Sequence, residues 1–529
     1  MTARRARFRI STTGCAAGLL AALCLCAPPV AADELTLSSV GGGIVVSGRY
    51  LGYDGTYLRV ETAAGPVTMD YSRVTCDGAA CPDPDAGVAQ WRLVGAARMG
   101  EVLLPALVEG FAVSEGYSLR REEVGPLDFD YVLTDPAAEA ARLRIEFRLS
   151  DTDGGFSDLL SGRADVAMAV REIRPEERQA ALEAGLGDLG APERARIVAL
   201  DGLVPVVSAA QERTEIDIAH LAAAFAGEIA NWSRIGGPDI PLTLHLPPAQ
   251  EGHVQGFVDR VVRLTGKELA PGVVHHPDAL SVAEAVARDP GALGVVPYRL
   301  GGDARPLAIG GSCGRGMMAD LQSLKTEDYP LTMPLFLYLP ERRLPPVAAD
   351  FVAWLRGGRA QFIVRRAGFA DLGTEPIPVA AQGERFAAAI TEAGPEVGLA
   401  DLQQMVRTLG TRQRLSTTFR FELGSTRLDA QSRSNVYQLA REILDGVHDG
   451  DVLMLAGFSD GVGPAVANRG LAAARAETVL RALVDALGGS LPREVRVRTV
   501  AFGEALPMGC DDTEWGRQIN RRVELWVEG

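Results

Sequence analysis

Gly457-Phe458-Ser459-Asp460 decides the reading of this chain, together with Arg475 fifteen residues after the aspartate and Asn520-Arg521-Arg522-Val523-Glu524 near its end. The apolar run from Val452 to Phe458 closes on a glycine and a phenylalanine, as a short buried strand should. Leu471, Ala474, Val479, Leu480, Leu483 and Leu487 then recur at helical spacing until Gly488-Gly489 stops the helix. Val495 with Val497, and Val523 with Leu525 and Val527, alternate with polar residues and predict two half-buried strands. Asp460 therefore falls at a strand end and Arg475 in the first half of the next helix, so both can converge at the carboxyl edge of the sheet. An arginine fork pairs two-pronged with a carboxylate, and an aspartate accepts from an ammonium group. The two residues suit an amino-acid zwitterion; taken alone, they read first as a structural ion pair.

The full set resembles the OmpA-like C-terminal domain over roughly residues 411–529. The resemblance implies a small βαβ module that binds the diaminopimelate stem of peptidoglycan. It assigns Asp460 to the ligand's ammonium group and Arg475 to its carboxylate, with Asn468, Asn520 and Arg521 lining the same site. Gly457 to Gly461 also fits the G-x-S-x-G hydrolase pattern, which needs a histidine after the serine. The last histidine is His448, so that reading fails on order.

Arg4, Arg5, Arg7 and Arg9 precede an apolar run from about Gly14 to Ala27, and Val30-Ala31-Ala32 supplies small residues before Asp33. Residues 1–32 are expected to be a secretory signal peptide, too short in its apolar part to span a membrane. Removing those four arginines takes the formal charge from −15 to −19, which argues against nucleic acid and anionic membrane surfaces as partners. A periplasmic protein associated with the cell wall or outer membrane is expected. Cys76 and Cys81 are close enough for a local disulfide in an oxidising compartment. Cys313 and Cys510 are far apart, and their state is open.

Residues 33–90 read as a small β-domain, with alternating strands at Ile44–Val46, Tyr57–Val60 and Val67–Met69. From Trp91 to about Gly373, strands such as Leu143–Leu149, Asp165–Val170 and Leu200–Ser208 alternate with helices such as Val102–Phe111 and Val282–Arg288, a pattern of parallel α/β sheets. Ser161-Gly-Arg-Ala-Asp-Val166, Ala199-Leu-Asp-Gly-Leu203, Phe225 to Trp232, Asp289 to Gly294 and Tyr329-Pro-Leu331 carry a second resemblance. They are similar, in order, to the periplasmic phosphate-binding proteins of ABC transporters. The expected fold class is therefore α/β: a two-lobed type II periplasmic-binding-protein fold over residues 91–373, with the small β-domain before it and the OmpA-like domain after it.

Receptors of this family cradle an oxyanion with helix N-terminal amides and hydroxyls. Here the hydroxyl-rich loop is replaced by Pro248-Ala-Gln-Glu-Gly-His253, and a glutamate there repels a phosphate dianion. The first loop reads Gly95-Ala-Ala-Arg-Met99, and only Ser150-Asp-Thr-Asp-Gly-Gly155 keeps hydroxyls and glycines before a helix. Arg98, Thr152, Asp153, Gly154 and His253 are the candidate ligands for some other small anion, and the family implies an ABC transporter or a sensor as partner. The alternative is a cleft that has lost its ligand and serves as a protein-interaction scaffold. His275-His276 read as surface histidines, not a metal site, and no cofactor or catalytic motif stands out. Residues 374–410, with Pro376, Pro378 and Gly394-Pro395, are expected to be a semi-flexible linker containing short helices near Phe386 and Leu399.

Overall fold

The structure, a computed structural model, describes residues 34–40, 43–53, 57–82, 88–137, 139–310, 316–394, 396–422 and 425–528. The expected signal peptide and Cys313 lie outside these residues. The chain divides into a small unit that ends at Pro82 and a large unit beyond it.

In the small unit, strands Glu34–Ser39, Val45–Tyr53, Tyr57–Thr62, Gly65–Asp70 and Val74–Asp77 form one sheet, with the first strand lying between the second and the fifth. Leu35 with Leu37, and Leu58 with Val60, are buried at period two, and Leu51 and Val74 are also buried. The disulfide expected between Cys76 and Cys81 is present. In the large unit Cys510 is also disulfide-bonded, so it is not a free thiol.

The large unit starts with two α/β lobes. Ala89–Ala96 runs parallel to Ala140–Ser150 and to Val166–Ala169, and Asp128–Asp135 and Ser118–Glu123 complete that edge antiparallel. In the other lobe Thr243–Leu246 runs parallel to Ala292–Pro297 and Val274–His275. The 13-residue strand Ala195–Val207 joins them: its first half pairs with Thr332–Tyr338 and its second half with Ala292–Pro297. Every residue of that strand except Arg196 is buried, so its near-continuous apolar run reflects cover on both faces.

The tail sheet has the strand order Pro376–Ile377, Arg412–Arg420, Arg522–Glu528, Val452–Phe458, Arg496–Gly503. Helices Ala430–Leu444 and Ala465–Ala486 cover one face around Leu439, Ile443, Val479 and Leu483. Two expectations are corrected on the other face. Residues 374–410 are not a flexible spacer: Pro376–Ile377 adds a strand, and helices Gly383–Thr391 and Leu399–Leu409 pack Ala389, Leu402, Met405 and Leu409 against Trp526, Phe458 and Phe502. Arg522–Glu528 is consequently buried along its length up to Val527, not half-buried. Its polar positions face protein, and Glu524 accepts from Arg522 Nε at 2.7 Å, from Trp526 Nε1 at 3.1 Å and from Arg385. Burial opposes the charge on Glu524, but Arg385, Arg414 and Arg522 outweigh it and hold the carboxyl far below the usual glutamate range.

Candidate functional site

Asp460 lies two residues past strand Val452–Phe458, and Arg475 lies midway along helix Ala465–Ala486. Gly457 is what lets them meet. A Cβ there would fall 2.2 Å from the Ala472 carbonyl oxygen, so the helix backbone rests directly on the strand end. Arg475, one turn beyond Ala472, is carried over the loop that holds Asp460. Its guanidinium carbon sits 5.5 Å from the Phe421 ring centroid. Arg475 is only 6% exposed, and its Nε and Nη1 have no hydrogen-bond partner. Burial, and then the Arg521 cation, pull its pKa below the ordinary arginine value against the attraction of Asp460.

The ion-pair partner of Asp460 is Arg521, not Arg475. Arg521 Nη1 donates to Asp460 Oδ2 at 2.9 Å and Nη2 to Glu514 Oε1 at 2.7 Å. Asn468 and Asn520 are buried loop braces. Asn468 donates to the Gly463 carbonyl and to Glu504, while Asn520 accepts from Met508 N and Gly509 N and donates to the Gly509 carbonyl and Asp511. Asp511 in turn accepts from Gly461 N at 2.8 Å, which fixes the turn after Asp460. Sequence reasoning quoted Gly457 without giving it a packing role, and did not place Phe421, Glu504 or Asp511 at the site. The glycine that opens the motif was the one available signal, and only the packed helix gives it meaning. Chemically, the site offers one carboxylate, one paired arginine and one arginine with donors to spare.

The receptor cleft is arranged differently. Arg98 Nε donates to Asp201 Oδ2 at 3.0 Å, and His253 Nε2 lies 3.3 Å from the same oxygen. Asp201 is 0% exposed. Burial alone would raise its carboxyl, but His253 and Arg98 hold it below the ordinary aspartate value. Thr152 is buried, and its Oγ1 accepts from Val170 N at 3.3 Å. A Cβ on Gly252 would fall 2.3 Å from that oxygen, so the 251–253 turn packs straight onto Thr152. Asp153 accepts from Gln255 at 2.8 Å and from Arg171. Gly154 N, an amide at the start of helix Thr152–Leu160, donates to the capping Asp151 at 2.7 Å. All five cleft candidates are thus engaged with the protein itself, and two carboxylates, Asp201 and Asp151, take the donors that an oxyanion would use. Asp201 lay inside a stretch quoted for its fold resemblance and was not weighed as a site residue.

Among the described residues no cluster of three or more histidine, cysteine or acidic groups could hold a metal. His276 is not a detached surface ring: its Nε2 lies 2.9 Å from His245 Nδ1.

Comparison with known proteins agrees with this two-part architecture. Residues 129–357 match the PBP superfamily domain and residues 420–521 the OmpA family. SphX of Synechococcus elongatus is 26% identical over 211 residues, which are 38% of this chain and 60% of that protein. Outer membrane porin F of Pseudomonas fluorescens is 40% identical over 74 residues, 14% of this chain and 22% of that protein. The phosphate-binding protein PstS of Staphylococcus aureus is 21% identical over 283 residues, 50% of this chain and 84% of that protein. The chain spans less than two thirds of the length of the first two relatives.

Proposed function

We propose that this chain, which joins a PBP superfamily domain to an OmpA family domain, is a periplasmic envelope protein tethered to peptidoglycan through the diaminopimelate of its stem peptides. The observation that carries this is Arg475, buried yet with Nε and Nη1 unpartnered beside Asp460 and Arg521. Leaving a buried guanidinium nitrogen unsatisfied is costly, and an incoming carboxylate supplies the acceptor. The ammonium group on the same carbon then falls to Asp460, whose charge Arg521 already holds in place. Co-sedimentation of the purified chain with sacculi is the test. Binding by the wild type and its loss in both Asp460→Ala and Arg475→Ala is the expected result. Full retention in both variants sinks the site.

A second reading concerns the receptor-like module, for which PBP-like relatives named phosphate-binding suggest capture of a small anion. The Asp201 carboxylate between Arg98 and His253 favours the alternative, a module held closed by its own groups and used as a protein-interaction scaffold.

A further inference from the structure

A cleft of about 640 Å³ lies where the receptor lobes meet the tail, with walls from both, and its size suits a small organic ligand. Glu172, Arg260 and Glu327 line it from the receptor and Asp429 from the tail. The four interact through space: Arg260 feels Glu327, Asp429 and Glu172, and Asp429 acts on both glutamates. Among the described residues, none of the four reaches an opposite charge within ion-pair distance. Glu327 accepts from Asn435 Nδ2 at 3.2 Å, Asp429 caps helix Ala430–Leu444 through Ser432 N at 2.7 Å, and Arg260 donates to the Thr332 carbonyl at 2.5 Å. Of the other charged lining groups, Arg171, Arg174, Arg263, Asp259 and Glu422 are taken up in ion pairs and Glu176 is exposed. Arg420 and Arg433 partly offset the acids, and Glu172, Glu327, Asp429 and Arg260 are left facing the cleft without an ion-pair partner among the described residues.

A separate observation comes from Gln431, which also lines the cleft. It is 4% exposed; its amide nitrogen donates to Asn435, and its Oε1 has no partner. A buried carbonyl oxygen normally finds a donor.

We propose that this cleft is a second binding site, for a small cationic amino acid. The ligand's ammonium groups lie against Glu172, Glu327 and Asp429, with Gln431 Oε1 taking one N–H, and its carboxylate meets Arg260. The unpaired acids outnumber the one unpaired base. Although Glu327 by itself holds its proton near neutral pH, an ammonium group beside it favours the ionised form, which suits a ligand with two positive groups and one negative. The site needs the tail docked on the receptor, since neither module carries all four charged groups. It does not depend on wall binding.

Isothermal titration of the full-length Arg475→Ala chain with L-lysine tests this, because that background disables the tail site. Lysine is expected to bind, with acetate silent, and Glu172→Gln added to the same background is expected to weaken lysine by about tenfold, the loss of one charge-assisted contact. Glu172 is exposed and makes no side-chain hydrogen bond among the described residues, so its substitution leaves the fold intact. Arg260→Gln is the companion variant. Absence of lysine binding overturns the proposal, as does binding that neither substitution weakens.

Discussion

Arg414 of the tail sheet grips Asp328 of the receptor with two prongs, Nη1 to Oδ2 at 2.5 Å and Nη2 to Oδ1 at 3.0 Å, and both residues are buried. Arg414 Nη2 also donates to Thr418, and its Nε lies 3.5 Å from Glu524. Arg420 adds a bond to the Glu327 carbonyl at 2.6 Å, and Arg433 reaches the Gly190 carbonyl at 3.2 Å. The receptor is therefore docked on the tail, where a semi-flexible linker between them was expected. If the tail holds the wall, the receptor is held with it.

Breaking this clamp leaves one buried charge without its partner, which costs about 3–5 kcal/mol. Asp328→Ala is expected to lower the unfolding free energy of the large unit, measured by urea titration, by that amount. Arg414→Met combined with Asp328→Leu removes both charges and is expected to recover much of the loss. Equal destabilisation by the single and double variants would contradict the account.

Glu327, next to that clamp, gives a pH signature. Burial first, and then the neighbouring Asp429, push its carboxyl up from 4.5 to about 8. The folded chain thus holds this proton more tightly than the unfolded chain. Its stabilising contribution is complete below the unfolded value of 4.5 and is lost as pH rises through about 8. Thermal melts between pH 5 and 8.5 are expected to show a falling Tm in wild type relative to Glu327→Gln, which lacks this titration. Parallel profiles for the two proteins would rule the assignment out.

The receptor cleft makes the opposite kind of prediction. With Arg98 and His253 occupied by Asp201, millimolar phosphate is expected to leave the wild-type melting temperature unchanged. Asp201→Ser frees both donors, and phosphate is then expected to raise Tm; at 100 times the dissociation constant the gain is about 2.7 kcal/mol. A phosphate shift in wild type equal to that in the variant would return the module to anion capture.

Much of the tail was legible because the strand Val452 to Phe458 and the helix through Leu471 to Leu487 can be read from the spacing of their apolar residues. The second face was not, because Arg522 and Glu524 look solvent-facing until Arg385 and Arg414, from 108 or more residues earlier in the chain, are brought against them. Asp460 and Arg475 were placed together by spacing, but spacing could not say that Arg521 takes the aspartate and leaves Arg475 unsatisfied. In the cleft, the loss of hydroxyls was readable in Pro248 to His253. The replacement of an external anion by Asp201 was not, since a lone aspartate in an apolar strand carries no signal of which side chains surround it.

Gly457 offers the sharpest separation between fold and site. The Cβ of Gly457→Ala meets the backbone carbonyl of Ala472, which cannot rotate away as a side chain could. The helix must lift, carrying Arg475 away from the loop that holds Asp460, at a cost of about 1–3 kcal/mol for overpacking. Gly457→Ala is therefore expected to stay folded by circular dichroism, with a lowered Tm, while losing sacculus binding as fully as Arg475→Ala. Gly470, on the same helix with nothing within 4 Å of its Cβ position, is the control. Gly470→Ala removes a helix-interior glycine and is expected to raise Tm slightly and to bind as wild type does. If Gly457→Ala binds sacculi normally, close approach of helix to strand is not what assembles the site.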